Sequence, residues 1–209
     1  LVGASGGKDS TALIEYFANR KKQGRENFDF TAVHIASDFA PPIDTRLVEL
    51  FKSWNVELVV VNVDVLGRLK ENKKMNCWWC STQRRTELNN YALEHGYNKI
   101  ALGHHMDDIL ETLLMNALSK GELSTMIPRL RYEKYPVTVI RPLCFADVDS
   151  IIAHASANHY ISVTCTCNYQ DNSSRKKARS RLEALTNGSA QEKRKLFDAL
   201  RNVKRDYLP

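Results

Sequence analysis

Apolar and polar positions alternate along the chain in blocks, and the period of the alternation changes from block to block. A short apolar lead-in, Leu1-Val2-Gly3-Ala4, precedes a polar turn. Residues 11–23 then place Leu13, Ile14 and Phe17 on one face of a helix. Phe30 to Ile35 reads as a buried strand, Pro41-Pro42 breaks the chain, and Asp44 to Trp54 returns to helical spacing. Leu58 to Val63 is apolar almost throughout, as parallel strands covered on both faces are. Residues 67–76 are polar and read as loop or short helix. Ser81 to His95 reads as a helix with Gly96 as its C-cap. Lys99 to Gly103 is a strand, Asp107 to Ser119 a strongly amphipathic helix, and Val137 to Arg141 a strand ended by Pro142. Asp147 to Asn158 is helical, with a short extended piece at Ile161–Val163. Strands alternating with helices predict an α/β fold with a doubly wound parallel sheet of about five strands, followed by a basic helical C-terminal tail. In such sheets ligands sit at the carboxyl ends of the strands.

A chain of 209 residues with 43% hydrophobic content supports a sizeable core and suits one domain, or one domain with a tail. No apolar stretch approaches the ~20 residues of a membrane span. The sequence begins inside what should be the first core strand, so the true N-terminus is expected to lie upstream. The net charge of +6 is unevenly placed. From Asn168 to Pro209 eleven Lys/Arg face five Asp/Glu, so this segment carries the whole excess. Its densest part is Arg175, Lys176, Lys177, Arg179 and Arg181. Such a segment is either a solvated helix face or a contact for nucleic-acid phosphates.

Between the first strand and helix stands Ser5-Gly6-Gly7-Lys8-Asp9-Ser10. Paired glycines allow a sharp turn and close approach to a ligand. The amides of the turn and of the helix start favour an anion. Lys8 adds a point charge, and Asp9 points to a bound metal ion or a catalytic contact. The common P-loop spacing and the Gly-x-Gly-x-x-Gly fingerprint are both absent. The hexapeptide resembles the Ser-Gly-Gly-x-Asp-Ser loop of the ATP pyrophosphatases, which split ATP between its α and β phosphates. A second cluster, Gly103-His104-His105-Met106-Asp107-Asp108 with Glu111 and Thr112, also follows a strand and opens a helix. Asp107 and Glu111 share a helix face, as do Asp108 and Thr112. Acids at a helix start are good dipole partners in any case, and two adjacent histidines leave zinc open. The segment resembles the Gly-His-His-x-Asp-Asp-x-x-x-Thr signature of tRNA-modifying ATP pyrophosphatases, which implies that Gly103, His104, Asp107 and Asp108 lie near the nucleotide.

Five cysteines are present: Cys77, Cys80, Cys144, Cys165 and Cys167. The Cys77-Trp78-Trp79-Cys80 pair reads as a redox pair, half of a zinc site or half of an iron–sulfur site. Spacing alone does not choose. Cys77-x-x-Cys80-Ser81-x-x-Arg84-Arg85, Arg141-Pro142-Leu143 and Cys167-x-x-Gln170-x-Asn172-x-x-Arg175 resemble the tRNA 2-thiocytidine synthetase family, over Ser5 to about Val203. Thr164-Cys165-Thr166-Cys167 departs from that family's Pro-Cys-x-x-Cys, and Cys144 reads as a small buried hydrophobe. Trp78-Trp79 either shields a cluster, stacks on a base or packs.

The resemblance implies an ATP-dependent tRNA sulfurtransferase, cytoplasmic and without a membrane partner. Residues 1–165 would form the ATP pyrophosphatase domain, with the basic segment 166–209 packed on it. The family's [4Fe-4S] cluster implies Cys77, Cys80 and Cys167 as ligands, with Cys165 as the alternative third. ATP would bind through Ser5, Gly6, Gly7, Lys8, Asp9 and Ser10. The strand carrying His34 would contact adenine, and Asp9 with Asp107 or Asp108 would hold Mg2+. Lys8, Asp9 and Arg84 would serve catalysis, and the basic tail would hold a tRNA anticodon stem-loop. The sulfur donor would be sulfide or a cysteine desulfurase, and a homodimer is expected by analogy only. Two alternatives remain beside this reading: a lysidine synthetase-like ligase, and a zinc-stabilised nucleotide- or RNA-binding module without turnover.

Overall fold

The computed structural model describes residues 1–25, 27–160 and 174–207. Six strands form one sheet: β1 (Val2–Gly3), β2 (Ala32–Ser37), β3 (Leu58–Val63), β4 (Lys99–Ala101), β5 (Arg129–Arg131) and β6 (Thr138–Ile140). Their order is β3-β2-β1-β4-β6-β5. All neighbours are parallel except β5, which runs antiparallel to β6 at the edge. The helices are α1 (Lys8–Gln23), α2 (Thr45–Ser53), α3 (Cys77–Glu94), α4 (Met106–Lys120), α5 (Val148–Ala157), α6 (Ser174–Thr186) and α7 (Ala190–Ala199).

The period-2 alternation of the strands covers both faces of the sheet. Leu1, Val33 and Ile100 face Leu88 and Ala92 of α3, whereas Val2, Ala32 and Ala101 face Leu13 and Ile14 of α1 and Leu47 and Phe51 of α2. A third apolar cluster joins Ile109, Leu110 and Leu113 of α4 to Leu182 of α6 and Phe197 of α7, with Cys144 buried among them. Cys144 therefore packs as the small hydrophobe expected of it, and burial pushes its thiol up from the usual range.

Three features depart from the sequence pattern. The sheet has six strands rather than about five, because Arg129–Arg131 adds an antiparallel edge. Helix α1 begins at Lys8, so Lys8, Asp9 and Ser10 form its first turn instead of preceding it. Helix α3 begins at Cys77 rather than Ser81, because the Asn76 side chain accepts from the Trp79 amide at 2.9 Å and caps the helix there. The extended piece expected at Ile161–Val163 lies outside the described residues, as do Cys165 and Cys167. Among the described residues no helix is long and apolar enough to cross a membrane.

Candidate active site

In this strand order the chain reverses direction across the sheet at β1 and β4, and a crevice opens beyond their carboxyl ends. The loop after β1 is Ala4 to Gly7, and the loop after β4 is Leu102 to His105. The Ser5–Ser10 loop and the His104–Asp108 segment therefore meet at the switch point. Gly103 makes the meeting possible. A Cβ at this position would stand 2.9 Å from the Asp9 carbonyl carbon and oxygen and 3.0 Å from the Ser10 amide, so only glycine lets the first turn of α1 come this close.

The loop is tied by its own hydroxyls. Ser10 Oγ donates to the Gly7 carbonyl at 2.9 Å and lies 3.0 Å from Ser5 Oγ; the Ser5 amide donates to Ser10 Oγ at 3.2 Å. Gly6 has φ 86°, a left-handed conformation that a side chain would strain. Below the loop His34 is buried, with Nδ1 donating to the Ala4 carbonyl at 2.7 Å. Burial and the nearby Arg84 charge lower its pKa against the opposing effect of that hydrogen bond. His34 is thus neutral, and in this structure its ring supports the loop from beneath.

Lys8 Nζ donates to Asp9 Oδ1 at 2.8 Å, and the Asp9 side chain is 30% exposed, the most open acid of the site. Facing it across the crevice, His105 Nε2 stands 3.8 Å from Asp9 Oδ1 and 3.5 Å from Asp108 Oδ2. His104 is pushed down to about 4, chiefly by burial and further by Arg141, Arg175 and Arg85, although Asp108 opposes them. Arg84 and Arg85 of α3 thus act electrostatically on the histidines at the strand ends. Among the described residues, four buried polar atoms here lack a hydrogen-bond partner: His104 Nδ1, His105 Nδ1, Asp107 Oδ1 and Glu111 Oε2. Orphans of this kind mark a place for water, an ion or a ligand.

The acids of α4 meet cations of the basic C-terminal segment. Arg175 Nη1 donates to Asp108 Oδ1 at 2.9 Å, Arg179 Nε to Glu111 Oε1 at 2.6 Å, and Lys193 Nζ lies 2.9 Å from Asp107 Oδ2. Asp108 Oδ2 accepts from the His105 amide at 3.0 Å, closing the first turn of α4. Glu111 and Lys193 were not expected as partners. Their only sequence signal was the placement of Glu111 on the Asp107 face.

Cys77 and Cys80 occupy the first turn of α3, three apart and both half-buried. Two sulfur donors on one helical turn are a soft ligand pair suited to iron–sulfur or zinc. Among the described residues no group of three or more His, Cys, Asp and Glu side chains forms a metal site. A cavity of about 460 Å3 lies between α1 and α5, lined by Glu15, Tyr16 and His154 among others. It touches neither the loop nor the residues after β4.

Residues 1–185 match the family model of the PP-loop domain. The chain is 36% identical to the tRNA-cytidine(32) 2-sulfurtransferase of Anaeromyxobacter sp. (strain Fw109-5), covering 100% of this chain and 70% of that protein. It is 34% identical to the protein of the same name from Marinobacter nauticus, covering 98% and 69%. The U34-tRNA thiolase NcsA from Methanococcus maripaludis, solved with its [4Fe-4S] cluster, superimposes with a TM-score of 0.75 at 24% identity over 97% of this chain and 72% of that one, a likeness of fold. The chain belongs to the PP-loop domain family and, within it, to the family of the tRNA-cytidine(32) 2-sulfurtransferases.

Proposed function

We propose that this chain is a cytoplasmic ATP-dependent tRNA sulfurtransferase that replaces the C2 oxygen of an anticodon-loop cytidine with sulfur. The observation that carries the reading is the convergence of the Ser5–Ser10 loop and the His104–Asp108 segment at the switch point, in a chain that also sets two cysteines on one helical turn.

The first amides of α1 and the Lys8 ammonium would bind the pyrophosphate end of ATP. Asp9, the most open acid of the site, would turn from Lys8 to hold Mg2+ on the phosphates, whereas Asp107 and Asp108 are buried against Lys193 and Arg175. The backbone of β2, with His34 holding the loop, would bound the adenine. The cytidine C2 oxygen attacks the α-phosphate and pyrophosphate departs, with Lys8 neutralising the developing charge. A sulfur nucleophile then adds at C2, and AMP leaves with the former C2 oxygen. When bound through Cys77, Cys80 and Cys167, with Cys165 as the alternative, the [4Fe-4S] cluster would supply that sulfur, drawn from sulfide or a cysteine desulfurase. Arg84 and Arg85 would offer positive charge to the phosphates. Arg175, Arg179 and Lys193 would position α4 rather than touch RNA, which leaves the other basic residues of 166–209 for the anticodon stem-loop. A homodimer remains part of the proposal by kinship alone.

Anaerobically purified protein should carry about four irons per chain. With tRNA it should convert ATP to AMP and pyrophosphate. One zinc and no iron would overturn the cluster, and formation of ADP would overturn the nucleotide chemistry.

A further inference from the structure

The two tryptophans between Cys77 and Cys80 have different surroundings. Trp79 is half-buried, packs against the core cluster of α3, and donates its indole N–H to the Val65 carbonyl at 3.1 Å. Trp78 is 71% exposed on the outer side of the same turn. Packing explains the first and leaves the second without a structural task.

Trp78 borders a cleft of about 280 Å3 whose wall includes Lys70, Lys73, Lys74, Asn76 and Trp79. Consecutive turns hold this wall in place: the Leu69 amide donates to the Leu66 carbonyl at 2.9 Å and the Lys73 amide to the Lys70 carbonyl at 3.1 Å. Asp38 anchors the start of the segment through the Val65 and Leu66 amides at 2.9 and 3.2 Å. Lys70, Lys73 and Lys74 are all exposed, and no carboxylate pairs with any of them among the described residues. Residues 66–78 hold four Lys/Arg against one acid, Glu71, and Arg68 is occupied by Glu87 at 2.5 Å. The start of α3 adds its own positive end, with no acid in its first turn.

A flat aromatic face ringed by unpaired cations is the chemistry that recognises an unpaired nucleotide: the base stacks and the neighbouring phosphates meet the lysines. A volume just below the ~300–1,000 Å3 of ordinary ligand pockets suits one splayed base rather than a duplex. We propose that this cleft is a docking site for a single-stranded RNA loop, with Trp78 as the stacking platform and Lys70, Lys73 and Lys74 as phosphate contacts. The site lies on the same helical turn as Cys77 and Cys80. That the loop belongs to tRNA rests on the proposed function; the cleft's preference for open RNA does not.

The test is a binding titration of the full, anaerobically purified chain against an RNA hairpin and against the same sequence closed into a duplex. Trp78→Ala should weaken hairpin binding on the order of tenfold, with Trp78→Phe retaining most of the affinity and duplex binding unchanged. Because Trp78 is exposed, both variants should keep the parent thermal midpoint. Replacing the three lysines by Gln should flatten the dependence of log affinity on log salt by about 2. Hairpin binding by Trp78→Ala equal to that of the parent would overturn the proposal, whether or not the parent makes 2-thiocytidine. Trp78-dependent binding in a chain that makes no 2-thiocytidine would keep the cleft and remove the enzymatic reading.

Discussion

The ammonium of Lys193 on α7 lies 2.9 Å from a carboxylate oxygen of Asp107 on α4, and both side chains are more than nine-tenths buried. Burial alone would lower the lysine's pKa, but hydrogen bonds to Glu183 and Asp107 outweigh it and raise it. The C-terminal helices thereby lock the helix whose first residues face the crevice. Arg175 and Arg179 extend the same lock along Asp108 and Glu111.

Removing Lys193 leaves a buried carboxylate without its cation. Lys193→Ala should destabilise the fold by about 3–5 kcal/mol, measured by urea denaturation. The pair replacement Lys193→Met with Asp107→Leu should recover much of that loss, because no charge is then stranded. Equal destabilisation by the single and the double variant would show that the ion pair is not the source.

His104 gives stability a pH dependence of defined sign. Its folded pKa, about 4, lies below the ordinary value near 6.5. Between these values the unfolded chain takes a proton that the folded chain refuses. The contribution is full above about pH 6.5 and is lost as pH falls towards 4, at up to about 1.4 kcal/mol per pH unit. His34 is shifted in the same direction. Denaturation midpoints should fall between pH 7 and pH 5, and His104→Asn should flatten the fall. A midpoint independent of pH over that interval would contradict the buried, neutral histidine.

Gly103→Ala tests the contact between the two loops. The added methyl meets Asp9 backbone at 2.9 Å, so α1 or β4 must shift. Overpacking should lower stability by about 1–3 kcal/mol. Displacement of the Ser5–Ser10 loop should lower AMP formation on the order of a hundredfold. Stability lost without any loss of AMP formation would separate the close packing from the chemistry.

Much of this architecture is legible in the residues. The apolar run at Leu58–Val63 is a strand as its composition predicts, but it lies at the sheet edge with Val60 46% exposed, so one of its faces is only partly covered; the two glycine- and histidine-bearing turns fall at strand ends as the βαβ alternation requires. Arg129–Arg131 was illegible because a three-residue edge strand flanked by arginines carries no apolar period. The start of α3 was hidden because Cys-Trp-Trp-Cys lacks an amphipathic stripe, and the informative residue was the cap, Asn76. The ion pairs of the C-terminal helices were beyond reach for a different reason. Arg175 and Asp108 are 67 residues apart, and no local rule pairs them. A basic run near a nucleotide site reads as an RNA contact until the fold brings buried acids to it.

Transfer of sulfur to cytidine is tested by mass analysis of nucleosides from tRNA incubated anaerobically with the cluster-loaded chain, ATP, Mg2+ and sulfide, alongside the Lys8→Ala and Cys77→Ser variants. The parent chain should form 2-thiocytidine with matching AMP, and neither variant should form any. AMP formation without 2-thiocytidine, or 2-thiocytidine that persists in Cys77→Ser, would contradict it.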